Sequence, residues 1–390
     1  MKHRLLLSIL VFMTCCLLGI EAHAQVKAAD HVLITNEIPG TVTIERGNDD
    51  TWLVTQQKLP ELGPEGNRPR DYAQAPTWVR IENAGEAKTI TLAVKWIDTG
   101  YGTFRKSGYL KHDDAWTVIT GEMGTDRTTY RLEVPKGTSW CGPVPWYGVE
   151  DATRWMERIA SSHAEVRVRA LGKTKEGREI RCVTIGDEKR PNVLVVGREH
   201  GGESASSFAV EAVVEHLLSK EFPRELREAF CFHVVPMANP DGVANGWKFP
   251  QPGPVEQFDL HYSGMTAPDP TCVVMREETL RLRPVAYVNY HSYLFPMPQV
   301  IYYQKEAGTR ILDALIGDKP GEGDSWYLKR LLPGGDSTLY HCHRAFGSLV
   351  VLFELPWAGR KVESLRAQGV ATFRAAMEAL VKKNKEAAKP

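Results

Sequence analysis

The most constraining feature of the sequence is an apolar run, residues 349–353, that leads directly into an acidic residue, Glu354. A strand without polar alternation is buried on both faces, as the parallel strands of α/β proteins are. A carboxylate at the end of such a strand is costly to desolvate and is rarely kept without a partner or a task. The run therefore predicts a central strand with an acidic residue at the edge of the core.

Two further apolar runs lead to histidines that could meet this carboxylate. Residues 193–196 precede His200-Gly-Gly-Glu203, and residues 285–290 precede His291. Ligands of open α/β sheets bind beyond the carboxyl ends of the strands, where these side chains are expected. Two imidazoles and a glutamate are the three protein ligands of a catalytic zinc site, and Glu354 would be its general base.

Each of these signals is weak when it stands alone. A His-x-x-Glu segment occurs often by chance, and a turn with two solvated polar residues explains it equally well. His291 could simply cap a strand. Three strand-end residues with complementary zinc chemistry are much less expected by chance, and this combination favours a metal site.

Composition excludes several classes of function. Lysine plus arginine and aspartate plus glutamate both number 48, so the formal net charge is zero. Nothing in this balance favours nucleic acid or an anionic membrane as a partner. No segment after the first 24 residues is long and apolar enough to span a membrane, so we expect no stable membrane insertion.

The first 24 residues have the pattern of a signal peptide. A basic start is followed by a mostly apolar stretch, residues 5–20, and by Ala22-His23-Ala24, a small-x-small cleavage site. The mature chain is expected to begin near Gln25 and to be secreted or periplasmic. Five cysteines remain after residue 24, an odd number, and one disulfide among Cys141, Cys272 and Cys342 is permitted.

Strand and helix patterns divide the mature chain in two. Residues 25–141 carry short alternating runs separated by turn-rich stretches, which is typical of a β-sandwich. Residues 142–390 alternate strands with helices, which predicts an α/β domain with a mixed, largely parallel sheet flanked by helices. Residues 236–270 are rich in proline and glycine and are predicted to form a long loop. Loops of this length more often have a function than not.

Four motifs of this second part resemble the zinc carboxypeptidases. They are Arg198-Glu199-His200-Gly201-Gly202-Glu203, the segment 235–246 with its Asn239-Pro240-Asp241-Gly242, Tyr290-His291-Ser292, and Phe353-Glu354-Leu355-Pro356. The Asn-Pro-Asp-Gly segment is the most specific of the four. The setting is closest to the cytosolic-carboxypeptidase branch, which also carries a β-sandwich before its catalytic domain.

The resemblance implies roles for particular residues. His200, Glu203 and His291 would bind one zinc ion per chain, and Glu354 would take a proton from water and pass it to the leaving amine. Substrate-binding residues would come from Asn239, Asp241, His261 and Tyr262. The substrate would be a peptide or a peptide-like molecule.

Two departures from the family pattern bear on the substrate. The family usually has Asp-Leu-Asn-Arg where this chain reads Asp259-Leu260-His261-Tyr262, so the Asn-Arg pair that holds a terminal carboxylate is missing. The arginine that steadies the oxyanion in the family is also missing, and Lys248 is the nearest cation that could replace it.

These departures leave alternatives to an exported metallocarboxypeptidase. One is a zinc-dependent amidase or deacylase on the same fold. Another is a non-catalytic secreted binding protein, although a retired site has no reason to keep both the ligand set and Glu354.

Overall fold

The computed structural model describes residues 32–58, 77–97, 105–252, 269–293, 299–302, 327–330 and 337–387, together with Ile311 and Leu315. The first part of these residues forms strands only, and the second part alternates strands with helices. This arrangement confirms the predicted fold class. The boundary between residues 141 and 142 stays a prediction.

In residues 32–58, 77–97 and 105–142, ten strands precede the α/β part. They are β1 (Val32–Asn36), β2 (Val42–Arg46), β3 (Thr51–Gln56), β4 (Val79–Asn83), β5 (Lys88–Lys95), β6 (Ser107–His112), β7 (Ala115–Thr120), β8 (Glu122–Met123), β9 (Arg127–Val134) and β10 (Gly137–Gly142). Among the residues described, they form two sheets with the orders β1-β4-β10-β6-β7 and β2-β3-β5-β9-β8. Side chains of both sheets, such as Ile81 and Leu92, share one core. This is the sandwich that the alternation predicts.

In the part of the chain that the structure describes, eight strands form the sheet of the second part. They are β11 (Val166–Lys173), β12 (Glu179–Ile185), β13 (Asn192–Gly197), β14 (Cys231–Val235), β15 (Ala286–Tyr293), β16 (Gln299–Tyr302), β17 (Tyr327–Arg330) and β18 (Leu349–Pro356). Their order is β11-β12-β14-β13-β15-β18-β16-β17. The four central strands β14, β13, β15 and β18 run parallel, while antiparallel pairs join them to both edges.

Helices cover both faces of this sheet. They are α1 (Val149–Ser162), α2 (Ser204–Leu218), α3 (Arg224–Ala229), α4 (Pro240–Asn245), α5 (Pro270–Leu282), α6 (Thr338–Phe346) and α7 (Val362–Ala387). Helices α1, α2 and α7 pack on one face, and α5 and α6 pack on the other. Because β13 is buried on both sides, its residues alternate between the two cores, and this explains its unbroken apolar run.

A separate apolar cluster joins the sandwich to the α/β part. Trp78 and Tyr109 from the sandwich pack with Trp357 and Leu365. The Tyr109 hydroxyl donates to the carbonyl oxygen of Trp357 and, at 2.8 Å, to that of Arg360. The sandwich is therefore fastened to the segment that directly follows β18.

Two further findings concern the cysteines and the length of the helices. None of the five cysteines in the described residues forms a disulfide, and all five are buried. Among those same residues, no helix combines the length and the apolar composition that crossing a membrane requires.

Candidate metal centre

The turn after β13 carries the first two predicted ligands, and close backbone contacts fix its shape. Gly201 N donates to Lys248 O at 2.9 Å. A Cβ atom at position 201 would lie 2.2 Å from Trp247 O, so only glycine allows the two segments to approach this closely. The buried guanidinium of Arg198 holds the turn from the other side, since its Nε donates to Gly201 O at 2.9 Å.

Asn239 ties this turn to the start of α4. Its Nδ2 donates to Glu199 O at 3.1 Å and to Lys248 O at 3.2 Å, while its Oδ1 accepts from Gly242 N at 2.8 Å. The Asn-Pro-Asp-Gly segment thus caps a short helix and braces the metal turn at the same time. Both roles depend on the Asn239 side-chain amide, which explains why the segment needs that residue type.

Asp241 points away from the turn, toward the loop that joins β11 and β12. Its carboxylate accepts from Thr174 Oγ1 at 2.8 Å, Glu176 N at 3.1 Å and Arg178 Nη1 at 2.7 Å. The hydrogen bonds described for Asn239 and Asp241 thus give both residues a structural role. The substrate-binding role that the resemblance implies for them stays a prediction.

The three predicted ligands converge. Nδ1 of His200 lies 2.8 Å from Glu203 Oε1, Nδ1 of His291 lies 3.0 Å from Glu203 Oε2, and the two Nδ1 atoms are 3.2 Å apart. Glu203 Oε2 also accepts from Ser292 N at 3.1 Å, which fixes the carboxylate. All three ligand atoms face one small volume, and two imidazoles with one carboxylate are a donor set that fits zinc.

Glu354 stands beside His291 in the parallel ladder of β15 and β18. The sequence predicted that both residues end their strands. Instead, β15 and β18 continue together to the pair of Tyr293 and Pro356, because the two strands go on exchanging hydrogen bonds. Residues opposite each other in parallel strands project from the same face, so Glu354 shares the face of His291.

The environment of Glu354 suits a proton acceptor. It is the only partly exposed residue of β18, while its Oε2 atom is buried with no hydrogen-bond partner among the residues described. Burial and the negative charge of Glu203 raise the pKa of Glu354 to about 7, against the opposing effects of His291, His200 and Lys248. A buried acceptor atom without a donor marks a place for a further group.

Charges balance differently at the ligands. Burial would raise the pKa of Glu203, but the charges and hydrogen bonds of His200 and His291 hold it well below its usual range. Burial would lower the pKa of His291, but Glu203, Glu199 and Glu354 raise it well above its usual value. The carboxylates thus outweigh desolvation, and the pocket attracts positive charge.

Lys248 reaches this pocket from the segment that follows α4. Its positive charge lowers the pKa of Glu354, and its Nζ lies 5.2 Å from the centre of the Phe249 ring. The Phe249 ring in turn packs edge-on against His200, with 5.5 Å between ring centres. The structure therefore brings Lys248 to the site, while its role toward an oxyanion stays a prediction.

Other expectations fall outside this geometry. His261 and Tyr262 lie outside the described residues. Sequence reasoning gave no role to Arg198 or to Glu199, which are both buried at the site. The sequence did carry a signal for them. Arg198 and Glu199 are charged residues that directly follow an apolar strand, and the same pattern pointed to Glu354.

The described residues hold a second group of potential metal ligands, Cys182, His233 and Glu278. Here the polar atoms already have protein partners. Glu278 is paired with Arg169 and, at 2.8 Å, with Arg281. The His233 ring contacts Thr184 at 3.4 Å through Nδ1 and Asn192 at 3.0 Å through Nε2. This group does not fit a metal ion.

Part of the chain is similar in sequence to known carboxypeptidases. Residues 152–273 match the family model described as zinc carboxypeptidase. Cytosolic carboxypeptidase 6 of Caenorhabditis elegans is 35% identical over 151 residues, which are 35% of this chain and 29% of that protein. Human cytosolic carboxypeptidase 1 is 30% identical over 119 residues, which are 27% of this chain and 9% of that protein. The matched stretch spans about a third or less of each curated relative.

The fold is similar over nearly the whole chain. A metallo-carboxypeptidase from Burkholderia cenocepacia superposes with a TM-score of 0.72 at 17% identity, covering 91% of this chain and 100% of that one. At this identity the likeness establishes the fold. Since that likeness extends across the sandwich as well as the sheet, the two-part architecture is shared.

Proposed function

We propose, from the match of residues 152–273 to the zinc carboxypeptidase family model, that the chain is an exported zinc metallopeptidase that hydrolyses the peptide bonds of peptide substrates. The observation that carries the proposal is the meeting of His200, Glu203 and His291 beside Glu354. One zinc ion per chain would be held by the first three residues. Catalytic zinc sites combine three protein ligands with a nearby carboxylate in this way.

When bound, zinc supplies a Lewis acid that acidifies a water molecule to a pKa of about 7 and polarises a carbonyl. Glu354 would accept the proton from the attacking water and deliver it to the leaving amine. A pKa of about 7 in the protein suits both steps, because a general acid–base group works best near the ambient pH. Its partly exposed position on β18 gives a substrate access to it.

Lys248 would stabilise negative charge on the substrate oxygen. Its positive charge lowers the pKa of Glu354, and this influence supports such a role. A cation that faces a developing oxyanion in a pocket with little water lowers the activation free energy of hydrolysis by several kilocalories per mole. Because a lysine is a point charge and lacks the fork of a guanidinium, we propose a role in charge stabilisation only.

The sequence also favours a second candidate, a zinc-dependent amidase or deacylase. The motivation is the stretch 259–262, which has His261-Tyr262 in place of the family's Asn-Arg pair. Without a bidentate guanidinium, recognition of a free terminal carboxylate would weaken. A non-catalytic binding protein is the third reading, and the complete ligand set with Glu354 argues against it.

Matched substrates separate these functions. The purified protein is incubated with a set of peptides and with the same peptides as C-terminal amides, with and without a chelator, and the products are identified by mass spectrometry. A metallocarboxypeptidase releases single C-terminal residues from the free acids at least about ten times faster than from the amides, and chelation stops it. Equal cleavage of both sets would overturn the proposal in favour of an amidase. No cleavage in the presence of bound zinc would favour the binding protein.

The proposed location rests on residues 1–24 alone. Their basic start, apolar stretch and Ala-x-Ala site are the features that export machinery and its peptidase read. N-terminal sequencing of the protein recovered from cells should give a chain beginning near Gln25. Recovery of the chain with Lys2 and His3 still present would contradict export.

A further inference from the structure

The carboxylate of Glu199 lies behind the metal ligands and contacts one of them. Its Oε2 atom is 3.3 Å from Nε2 of His291, on the far side of the ring from Nδ1, which faces Glu203 and His200. Both side chains are almost fully buried, with 2% of Glu199 and 1% of His291 exposed. The two nitrogens of this imidazole therefore serve two different carboxylates.

Strand β15 builds the cradle for Glu199. Tyr287, Asn289 and His291 alternate along the strand and so share one face. The Tyr287 hydroxyl donates to Glu199 Oε1 at 3.2 Å, and Asn289 Nδ2 donates to Glu199 Oε2 at 3.1 Å. Three groups on one strand face thus converge on a single carboxylate.

Such a buried carboxylate is costly unless donors compensate it. Tyr287 and Asn289 provide two donors, and a proton on Nε2 of His291 provides the third. With its proton on Nε2, the neutral ring has its lone pair on Nδ1, the atom that faces the other ligands. The position of Glu199 therefore favours the tautomer that a metal needs.

We propose that Glu199 is a positioning residue for the metal centre, which orients His291 and holds its proton on Nε2 so that Nδ1 binds the metal. The inference rests on the proposed function for the presence of zinc. Partners of this kind behind a metal-bound histidine fix the ring and strengthen the ligand, and their loss typically weakens metal binding by 10- to 100-fold.

The test is a zinc affinity measured by competition with a chromophoric chelator. Glu199→Gln keeps the size of the side chain and removes its charge, so we expect zinc binding 10- to 100-fold weaker than in the wild type. Glu278→Gln is the matched control, because it neutralises another buried glutamate remote from the ligands. This control should bind zinc within about twofold of the wild type.

A purely structural role for Glu199 would give a different result. In that case the apo form of Glu199→Gln would lose thermal stability while the zinc affinity of the folded fraction stayed within about threefold of the wild type, and the proposal would be overturned. If the wild type itself bound no zinc, the proposed function would fail rather than this inference. The two failures are therefore distinguishable.

A second variant guards against misfolding of the first. Tyr287→Phe leaves Glu199 charged and removes one of its hydrogen bonds, so it should weaken zinc binding by about two- to tenfold. Unchanged zinc affinity in Tyr287→Phe, together with unchanged affinity or no fold in Glu199→Gln, would count against the positioning role.

Discussion

Two groups of metal-type side chains lie in the described part of this molecule, and only one of them is arranged for an ion. His200, Glu203 and His291 turn their ligand atoms toward each other, and carboxylates surround them. Cys182, His233 and Glu278 lie equally close together. However, arginines already pair with Glu278, and hydrogen-bond partners already contact the His233 ring. The comparison shows that ligand types within reach of each other do not make a metal site. What decides is whether the protein itself satisfies them.

The protonation states follow the same division. At the metal centre, carboxylates raise the pKa of His291, so the site gathers positive charge. In the second group, burial raises the pKa of Cys182 to about 12 and lowers that of His233 to about 4. The Cys182 thiol and the His233 ring therefore stay neutral at pH 7, and arginines balance the charge of Glu278. The second group therefore offers an ion neither a thiolate nor an uncompensated carboxylate.

The largest expected effect is on metal binding. His291→Ala removes one of three ligands and should weaken zinc binding on the order of 10³-fold, because structural zinc sites bind with about 10–16 kcal/mol shared among their ligands. His233→Ala, the same change in the second group, should leave zinc content unaltered. Zinc per chain is measured by elemental analysis after dialysis. Loss of zinc in the His233 variant would show that the second group, and not the first, binds the metal.

Glu354→Gln should affect catalysis and spare the metal. Removing a general base lowers kcat by about 10² to 10⁴-fold. Zinc content should stay at the wild-type level, since Glu354 is not a ligand in this account. Steady-state kinetics on the best peptide substrate, with zinc measured on the same sample, checks both outcomes. A wild-type rate would show that another residue is the base.

His233 predicts an acid sensitivity that belongs to the second group. Its pKa is about 4 in the folded protein and near 6.5 when unfolded, so the unfolded chain binds the extra proton between these values. The protonation of His233 therefore costs little stability above pH 6.5. As the pH drops toward 4, it lowers the free energy of unfolding by at most about 1.4 kcal/mol per pH unit. Near pH 4.5 this amounts to about 2 kcal/mol.

The measurement is urea unfolding at pH 7.5 and pH 4.5. His233→Gln should lose about 2 kcal/mol less than the wild type between the two conditions. The partly exposed His163 provides the control, since His163→Gln should follow the wild type. Identical acid losses in wild type and His233→Gln would show that the second group is not held neutral by the fold.

Glu278→Gln should have the smallest effect. It breaks the pairing with Arg169 and Arg281, and both arginines are partly exposed, so water can replace the lost carboxylate. We expect a loss of about 1 kcal/mol in the free energy of unfolding, which is at the upper end for pairs open to solvent. Denaturant titration at pH 7.5 measures it. A loss above about 4 kcal/mol would show that the group is a buried charge network.

Much of this site could be predicted from sequence because burial leaves a clear pattern. The unbroken apolar runs before His200, His291 and Glu354 identified three parallel strands, and ligands meet where such strands end. The alternation of apolar and polar residues likewise identified the sandwich.

What sequence could not supply were contacts between distant segments. Nothing in the sequence indicated that the Asp241 carboxylate accepts a hydrogen bond from Thr174 in the loop between β11 and β12, and its role toward a substrate stays a prediction. Glu199 had no assigned role, because its meaning depends on the face of β15 that it meets. Equally, the types and spacing of Cys182, His233 and Glu278 carry no sign of the arginines that neutralise them.

The most direct test of this account is anomalous diffraction at the zinc absorption edge, recorded from crystals of the zinc-loaded protein. We expect one strong peak per chain, in contact with Nδ1 of His200, a carboxylate oxygen of Glu203 and Nδ1 of His291, with Glu354 nearby and unbound. A peak among Cys182, His233 and Glu278, or no peak between His200 and His291, would contradict it.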